Sequence, residues 1–366
     1  MKRSLLFLAA LALLSCNQNK QSDSDGQKPD AIVEKALPPL KEGEIALTDD
    51  AFGDIIELSG EQHPVNQIFK IGETGMIAKD SLLIVKNRNE DYLFMTFSLP
   101  DFRYLKSFGK VGGGPGEMQI CQLVNSANKN YVCYIYEQDQ NKLYSVDNDF
   151  SVNESAIRLS GNNNLFGDKQ LVNTSDTSFL YAESTKKGKA IFHLSIYPND
   201  STAVRQIQDI SFSDDHTNWA SYIGDFGVNA NKKRLVYAYK YFKRLLFMDT
   251  ETGKIRTLIF NKKEAETGEA TEMLKPDNIT HYWGISAQEK YVYLLYSGRT
   301  PIDVANEWKK HLTYIYVEQF DWNGNPIRKF KLDRWGYFCV NEKETQLILA
   351  STTDDDPFFI YKLPVL

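Results

Sequence analysis

Phe108-Gly109-Lys110-Val111-Gly112-Gly113-Gly114-Pro115-Gly116-Glu117-Met118 is the stretch that decides the architecture. Its glycines and single proline leave little side-chain bulk and allow backbone angles closed to other residues. Residues 104–108 before it read as a strand, and so do 119–125 and 131–137 after it. Gly112, Gly113, Gly114, Pro115 and Gly116 therefore read as a sharp structural linker between strands. A phosphate-binding loop would need Gly-Lys-Ser/Thr at the opening of a helix. Here Glu117-Met118-Gln119 leads into β-rich sequence instead.

Outward from the linker, strand and tight polar turn recur. Turns fall at Pro100-Asp101, Asp147-Asn148-Asp149, Pro198-Asn199-Asp200, Thr250-Glu251-Thr252-Gly253 and Trp322-Asn323-Gly324-Asn325. Three intervals are close to the roughly 40–50 residues of a four-stranded propeller blade, and the fourth is longer. Tyr (20) and Phe (21) are abundant against 12 Pro, as suits many short strands.

The glycine-rich link, the two strands after it and Asp139-Gln140-Asn141-Lys142-Leu143-Tyr144-Ser145-Val146-Asp147 together resemble one blade of an NHL-like six-bladed β-propeller. They resemble more closely the TolB-like propeller lipoproteins of Bacteroidetes-type bacteria. Tyr291-Val292-Tyr293-Leu294-Leu295-Tyr296-Ser297-Gly298 resembles the same family. The resemblance implies an all-β chain of six four-stranded blades. Residues 337–340, 346–350 and 358–363 supply only three strands for the last blade. An N-terminal strand, 55–58 or 66–70, is expected to complete it and remove the open edges.

The N-terminus reads as an export signal. Lys2 and Arg3 precede an apolar run, residues 5–14, too short to span a membrane. Leu13-Leu14-Ser15-Cys16 resembles the bacterial lipobox, which implies cleavage before Cys16 and lipidation of its sulfur. Acyl chains there would anchor the protein to a membrane, in the cell envelope and by this reading the outer membrane. Residues 17–43 are too polar to fold alone and read as a flexible tether. The expected organisation is a signal at 1–16, this tether, and a propeller at 44–366.

The formal net charge is −6 and no basic stripe is interleaved with aromatics, which excludes nucleic acid as a natural partner. Beyond Cys16, Cys121, Cys133 and Cys339 form an odd set, so a complete disulfide framework is excluded. Placing the hairpin turn at Asn128–Lys129 sets Val124 opposite Cys133 and puts Cys121 out of disulfide reach. Buried thiols are expected.

In a blade, the A–B and C–D turns open on one face, and the B–C and D–A loops on the other. The A–B and C–D turns here are short, whereas 109–118, 213–224, 261–281, 297–312 and 352–357 are long. Function usually rides on long loops over a rigid frame. Thr300, Pro301 and Asp303 suit the start of a helix in which Val304, Trp308 and Leu312 share one face. Trp219, Tyr222, Tyr282, Trp283 and Trp308 concentrate aromatic area in these loops and are the candidate partner-binding residues. Such rings suit a sugar or a partner's side chain.

No His-Glu-x-x-His or Gly-x-Ser-x-Gly occurs. Asp354-Asp355-Asp356 lacks calcium-loop spacing and reads as a solvated loop. No metal, cofactor or catalytic residue is assigned. Two functions follow: a lipid-anchored, non-catalytic module binding a protein or glycan, and a propeller hydrolase or lyase working at the channel mouth. The first accounts for more of the sequence.

Overall fold

Strands form where branched and aromatic residues dominate short runs, and they stop at residues that tolerate a turn. Blade 1 shows the pattern. Met76–Lys79, Leu82–Lys86, Tyr92–Ser98 and Tyr104–Lys110 pair antiparallel in chain order. Its A–B turn places Asp80 at φ 51°. The structure is a computed structural model and describes residues 37–70, 75–159, 169–199, 201–213, 219–260 and 278–364.

Five more sheets repeat the plan. Blade 2 is Cys121–Asn125, Tyr131–Glu137, Lys142–Asp147 and Val152–Arg158. Blade 3 is Gln170–Ser175, Ser178–Thr185, Gly188–Ile196 and Thr202–Asp209. Blade 4 is Gly224–Asn229, Arg234–Tyr239, Arg244–Asp249 and Ile255–Ile259. Blade 5 is Thr280–Ala287, Tyr291–Arg299, Ile315–Asp321 and Pro326–Leu332. Gly336–Val340, Gln346–Ser351 and Phe358–Lys362 make three strands of blade 6. Inner strands of neighbouring blades touch all the way round, including blade 6 against blade 1. The apolar core is correspondingly divided into six clusters, one between each pair of adjacent blades.

The strand that closes blade 6 is neither of the two expected from sequence. Glu61–His63 does it, with His63 opposite Phe358 and Glu61 opposite Ile360. An outermost strand contributes backbone hydrogen bonds more than buried side chains, so three polar residues suffice there. Ile56–Leu58, one of the expected candidates, lies parallel on blade 5 as a fifth strand, pairing with Phe330–Leu332. Gly43–Ala46 is likewise a parallel fifth strand on blade 4, pairing with Arg256–Ile259. The N-terminal segment is thus a strap around the rim of three successive blades. It begins earlier than position 44: Leu40 is buried between blades 4 and 5, and Arg234 donates to the Pro38 carbonyl at 3.2 Å. The rest of the expected tether and the lipobox lie outside the described residues.

A charge cluster fastens the strap. Asp49 pairs with Lys243, and with Lys329 at 3.8 Å. The same lysines face the fully buried Glu318 at 3.8 and 3.0 Å. Both ammonium groups also sit over the Tyr296 ring, at 4.5 and 4.4 Å. Two cations meet two anions, and one of the anions belongs to the strap. Glu318 and the two lysines are buried, and such a group is costly unless its charges are matched.

The glycine-rich linker joins the outer strand of blade 1 to the inner strand of blade 2. It wraps round the Glu117 carboxylate, which accepts from Gly114 N at 3.0 Å and pairs with Lys110 at 2.6 Å. A Cβ on Gly112 would lie 2.0 Å from Glu117 Oε2, so a larger residue there would push this carboxylate out of its loop. Cys121, Cys133 and Cys339 are buried free thiols. Their hairpin register differs by one step from the sequence expectation, since Asn125, not Val124, faces Cys133.

Candidate functional site

Blade 5 departs from regular pairing at one end. Between Thr280↔Arg299 and Tyr282↔Tyr296 the second strand carries an extra residue. Between Tyr282↔Tyr296 and Ile285↔Leu294 the first strand does. These are two opposed β-bulges within one hairpin, and bulges re-aim side chains. Gly298 makes the first possible. Its φ is +65°, and a Cβ would lie 2.4 Å from the Tyr296 hydroxyl. The second bulge holds Trp283 and Gly284, and a Cβ on Gly284 would press on Leu295 at 3.2 Å.

The helix Pro301–Trp308 (α1) follows the second strand. Thr300 Oγ1 accepts from Asp303 N at 3.0 Å and Asp303 Oδ2 accepts from Thr300 N at 3.3 Å, a reciprocal cap. Val304 faces the core, whereas Trp308 is 37% exposed. The helix ends at Trp308, so Leu312 is not on its face as expected; it lies beyond the helix, 48% exposed. Arg299 pins the helix by pairing with Glu307 and donating to the Tyr314 carbonyl at 2.9 Å.

Between α1 and the blades opens a cleft of about 350 Å³, on the face of the B–C and D–A loops. Its lining includes Trp283, Trp308 and Trp335. Trp335 is the hub, with ring centroids 5.0 Å from Trp283 and 6.0 Å from Trp308. The Arg299 guanidinium lies 5.2 Å from the Trp335 ring centre. Lys240, Thr280 and Ser297 add polar groups. Ser297 is only 3% exposed, and its hydroxyl has no hydrogen-bond partner among the described residues. The Trp283 indole Nε1 and Arg299 Nε are also buried and unpartnered. Buried polar atoms are nearly always paired, and although Arg234, Arg244 and Arg256 also carry an unpaired Nε elsewhere, three such atoms meet at this cleft.

The five candidate aromatics separate. Trp283 and Trp308 line the cleft. Tyr222 is fully buried, donating its hydroxyl to the Ser213 carbonyl at 3.1 Å and packing edge-on to Phe212. Tyr282 is fully buried, donating to Glu318 at 2.8 Å. Burial, then the Glu318 charge, push its pKa well above the ordinary phenol value. These two tyrosines pack the seams between blades and cannot meet a partner. The Trp219 side chain lies outside the described residues. Trp335, Lys240, Ser297 and Arg299 were not foreseen. Trp335 sits in the short link between blades 5 and 6, where loop length gives no signal. Ser297 and Gly298 did stand in the quoted family-like stretch.

Elsewhere, Ser178 Oγ lies 2.7 Å from His193 Nε2 at the other end of blade 3, and Thr174 Oγ1 lies 2.9 Å from the same hydroxyl. Burial, then the charge of Arg205, hold the imidazole pKa below its usual value. No carboxylate is bonded to that imidazole among the described residues, so the pair lacks the third member of a nucleophile triad. Among those residues no group of three His, Cys, Asp or Glu side chains is placed to hold a metal. None of their helices is long and apolar enough to cross a membrane.

Six four-stranded sheets in a closed ring, strapped by the N-terminal segment, define a six-bladed β-propeller. The chain belongs to the TolB-like family: residues 69–343 match the family described as TolB-like 6-blade propeller-like. Among solved structures, it is similar to a member of the DUF4221 family from Bacteroides vulgatus, at TM-score 0.57 and 13% identity, covering 83% of this chain and 97% of that one. It is also similar to a protein from Bacteroides fragilis designated as exported, at TM-score 0.54 and 13% identity, covering 87% of this chain and 97% of that one. At such identity the likeness is one of fold. No curated protein matches the sequence.

Proposed function

We propose that this chain is an exported, lipid-anchored propeller of the bacterial cell envelope, held at the outer membrane through Cys16, that acts as a non-catalytic binding module. The observation that carries the binding role is the cleft beside α1. It is open, walled by three tryptophans and supplied with buried polar atoms that no group among the described residues satisfies. Its dimensions suit a ring-shaped group, either a glycan residue or a side chain of a protein partner. The lipid anchor rests on the sequence around Cys16, and the export designation of the Bacteroides fragilis neighbour agrees with it.

The test is capture from solubilised native envelope on immobilised full-length protein. Trp308→Ala should remove the captured component. Asn148→Ala, in an exposed turn on the other face, should not. Equal capture by all three proteins would overturn the role of the cleft. Separately, Cys16→Ala should shift the protein out of the membrane fraction, and unchanged fractionation would overturn the anchor.

A further inference from the structure

The cleft offers donors and cations, and this selects its ligand. Lys240 brings an ammonium group that makes no direct ion pair among the described residues, with Asp225 as its charged neighbour. Ser297 brings an unpartnered hydroxyl, and Trp283 and Arg299 bring unpartnered N–H groups. Thr280 adds a second hydroxyl. Among the described residues no carboxylate lines the cavity, and the nearby Glu307 is engaged by Arg299 and by the Tyr314 hydroxyl at 3.1 Å. A ligand that satisfies this set must be rich in acceptors and carry negative charge. It must also present a flat face of C–H groups to the tryptophans.

Building on the binding role proposed above, we infer that the cleft beside α1 binds a carboxylate-bearing sugar ring, with Lys240 meeting the carboxylate, Ser297 and Trp283 meeting ring oxygens, and Trp308 and Trp335 forming the wall. An aromatic carboxylate would satisfy Lys240 and the tryptophans. It would leave the Ser297 hydroxyl and the Trp283 N–H unpaired, and unpaired buried donors are costly. A neutral sugar would leave the ammonium without a direct ion pair. The opening of about 350 Å³ is near the lower limit of small-molecule sites, which favours one ring rather than a long chain segment.

The probes are glucuronic acid and galacturonic acid, their neutral counterparts glucose and galactose, and benzoate. Each is titrated into the full-length protein while tryptophan fluorescence is followed, with calorimetry as a second readout. A saturable change is expected with at least one uronate, about tenfold tighter than with its neutral counterpart or with benzoate, a factor worth about 1.4 kcal/mol. Lys240→Met should weaken uronate binding about tenfold or more, and should bring it level with the neutral sugar. Ser297→Ala should weaken both sugars and leave benzoate unchanged. Thermal unfolding of each variant checks that it is folded.

No saturable change with either uronate, equal binding of acid and neutral sugars, or benzoate binding tighter than both would overturn the inference. The two proposals fail separately. If uronates do not bind but Trp308→Ala still abolishes envelope capture, the binding module stands and the acidic-sugar assignment falls. If uronates bind to wild type and to Lys240→Met alike, the assignment of the carboxylate partner falls.

Discussion

Blades 2 and 5 are built to the same plan and differ where it matters. The inner hairpin of blade 2 runs in unbroken register from Cys121↔Glu137 to Asn125↔Cys133. Its B–C connection is the short turn between Glu137 and Lys142. The inner hairpin of blade 5 carries two bulges, its B–C connection carries a helix, and its outer edge carries an extra strand. Regular pairing satisfies the backbone groups of the ladder. Broken register re-aims side chains, and the strap adds contacts on the same blade. The cleft therefore sits on the blade that is both the most disturbed and among the most heavily braced.

The largest expected effect comes from removing that bracing. Deleting 54–63 takes away the fifth strand of blade 5 and the closing strand of blade 6. It should give an aggregating or unfolded protein, read by size-exclusion chromatography and circular dichroism. A monodisperse, fully folded product would show that closure does not depend on the strap.

Next comes the bulge itself. Gly298→Ala forces a Cβ against Tyr296 at a positive φ, and should cost about 1–3 kcal/mol in denaturant unfolding. Gly113→Ala in the linker before blade 2 is the control. The nearest atom to its Cβ would be Gln119 Nε2 at 3.5 Å, an ordinary contact, so the loss should stay under about 1 kcal/mol. Equal losses would erase the distinction between the two blades.

Asp49→Asn should cost on the order of 1 kcal/mol, discounted because the Asp49 side chain is 62% exposed. Burial alone would raise the Asp49 pKa, but the hydrogen bond from Lys243 and the charges of Lys243 and Lys329 outweigh it and leave it lowered from 3.8. A depressed carboxyl pKa stabilises the fold fully above its unfolded value and loses that contribution as pH falls through the folded one. Wild type should therefore lose more stability below about pH 4 than Asp49→Asn does. Parallel pH profiles for the two proteins would reject the pairing.

The smallest effect on stability belongs to Trp308→Ala. The ring is 37% exposed, so unfolding should shift by no more than about 1 kcal/mol. Binding should nonetheless be lost. A large stability change would mean that the ring serves packing rather than the cleft.

The fold was legible because its signal is repeated. Turns such as Asp147-Asn148-Asp149 mark a hairpin locally, and successive intervals then count blades. The strap was less legible because Glu61-Gln62-His63 has no apolar alternation; its partners are backbone groups on Phe358–Ile360 that no pattern reveals. The cleft was half legible. Trp283 and Trp308 stood out as aromatics in long loops. Tyr222 and Tyr282 stood out equally, yet their hydroxyls find carbonyl and carboxylate acceptors inside. Sequence shows that a ring lies near a loop, but which way a bulge turns it is a property of register. Ser297 and Lys240 belong to neighbouring blades, and only the packing of blade 5 on blade 4 brings them to one cavity.

The order in which the strap meets the blades also sets the mechanical route through the molecule. A pull applied at Leu37 reaches the Pro38–Arg234 bond first, then the Gly43–Ala46 pairing on blade 4, then Asp49, then Ile56–Leu58 on blade 5. Only after all of these does it reach Glu61–His63, the clasp of the ring. The two parallel pairs thus work as sacrificial links in series. Load along the chain would peel the outer turns of the strap while the closed ring, and the cavity it frames, still held.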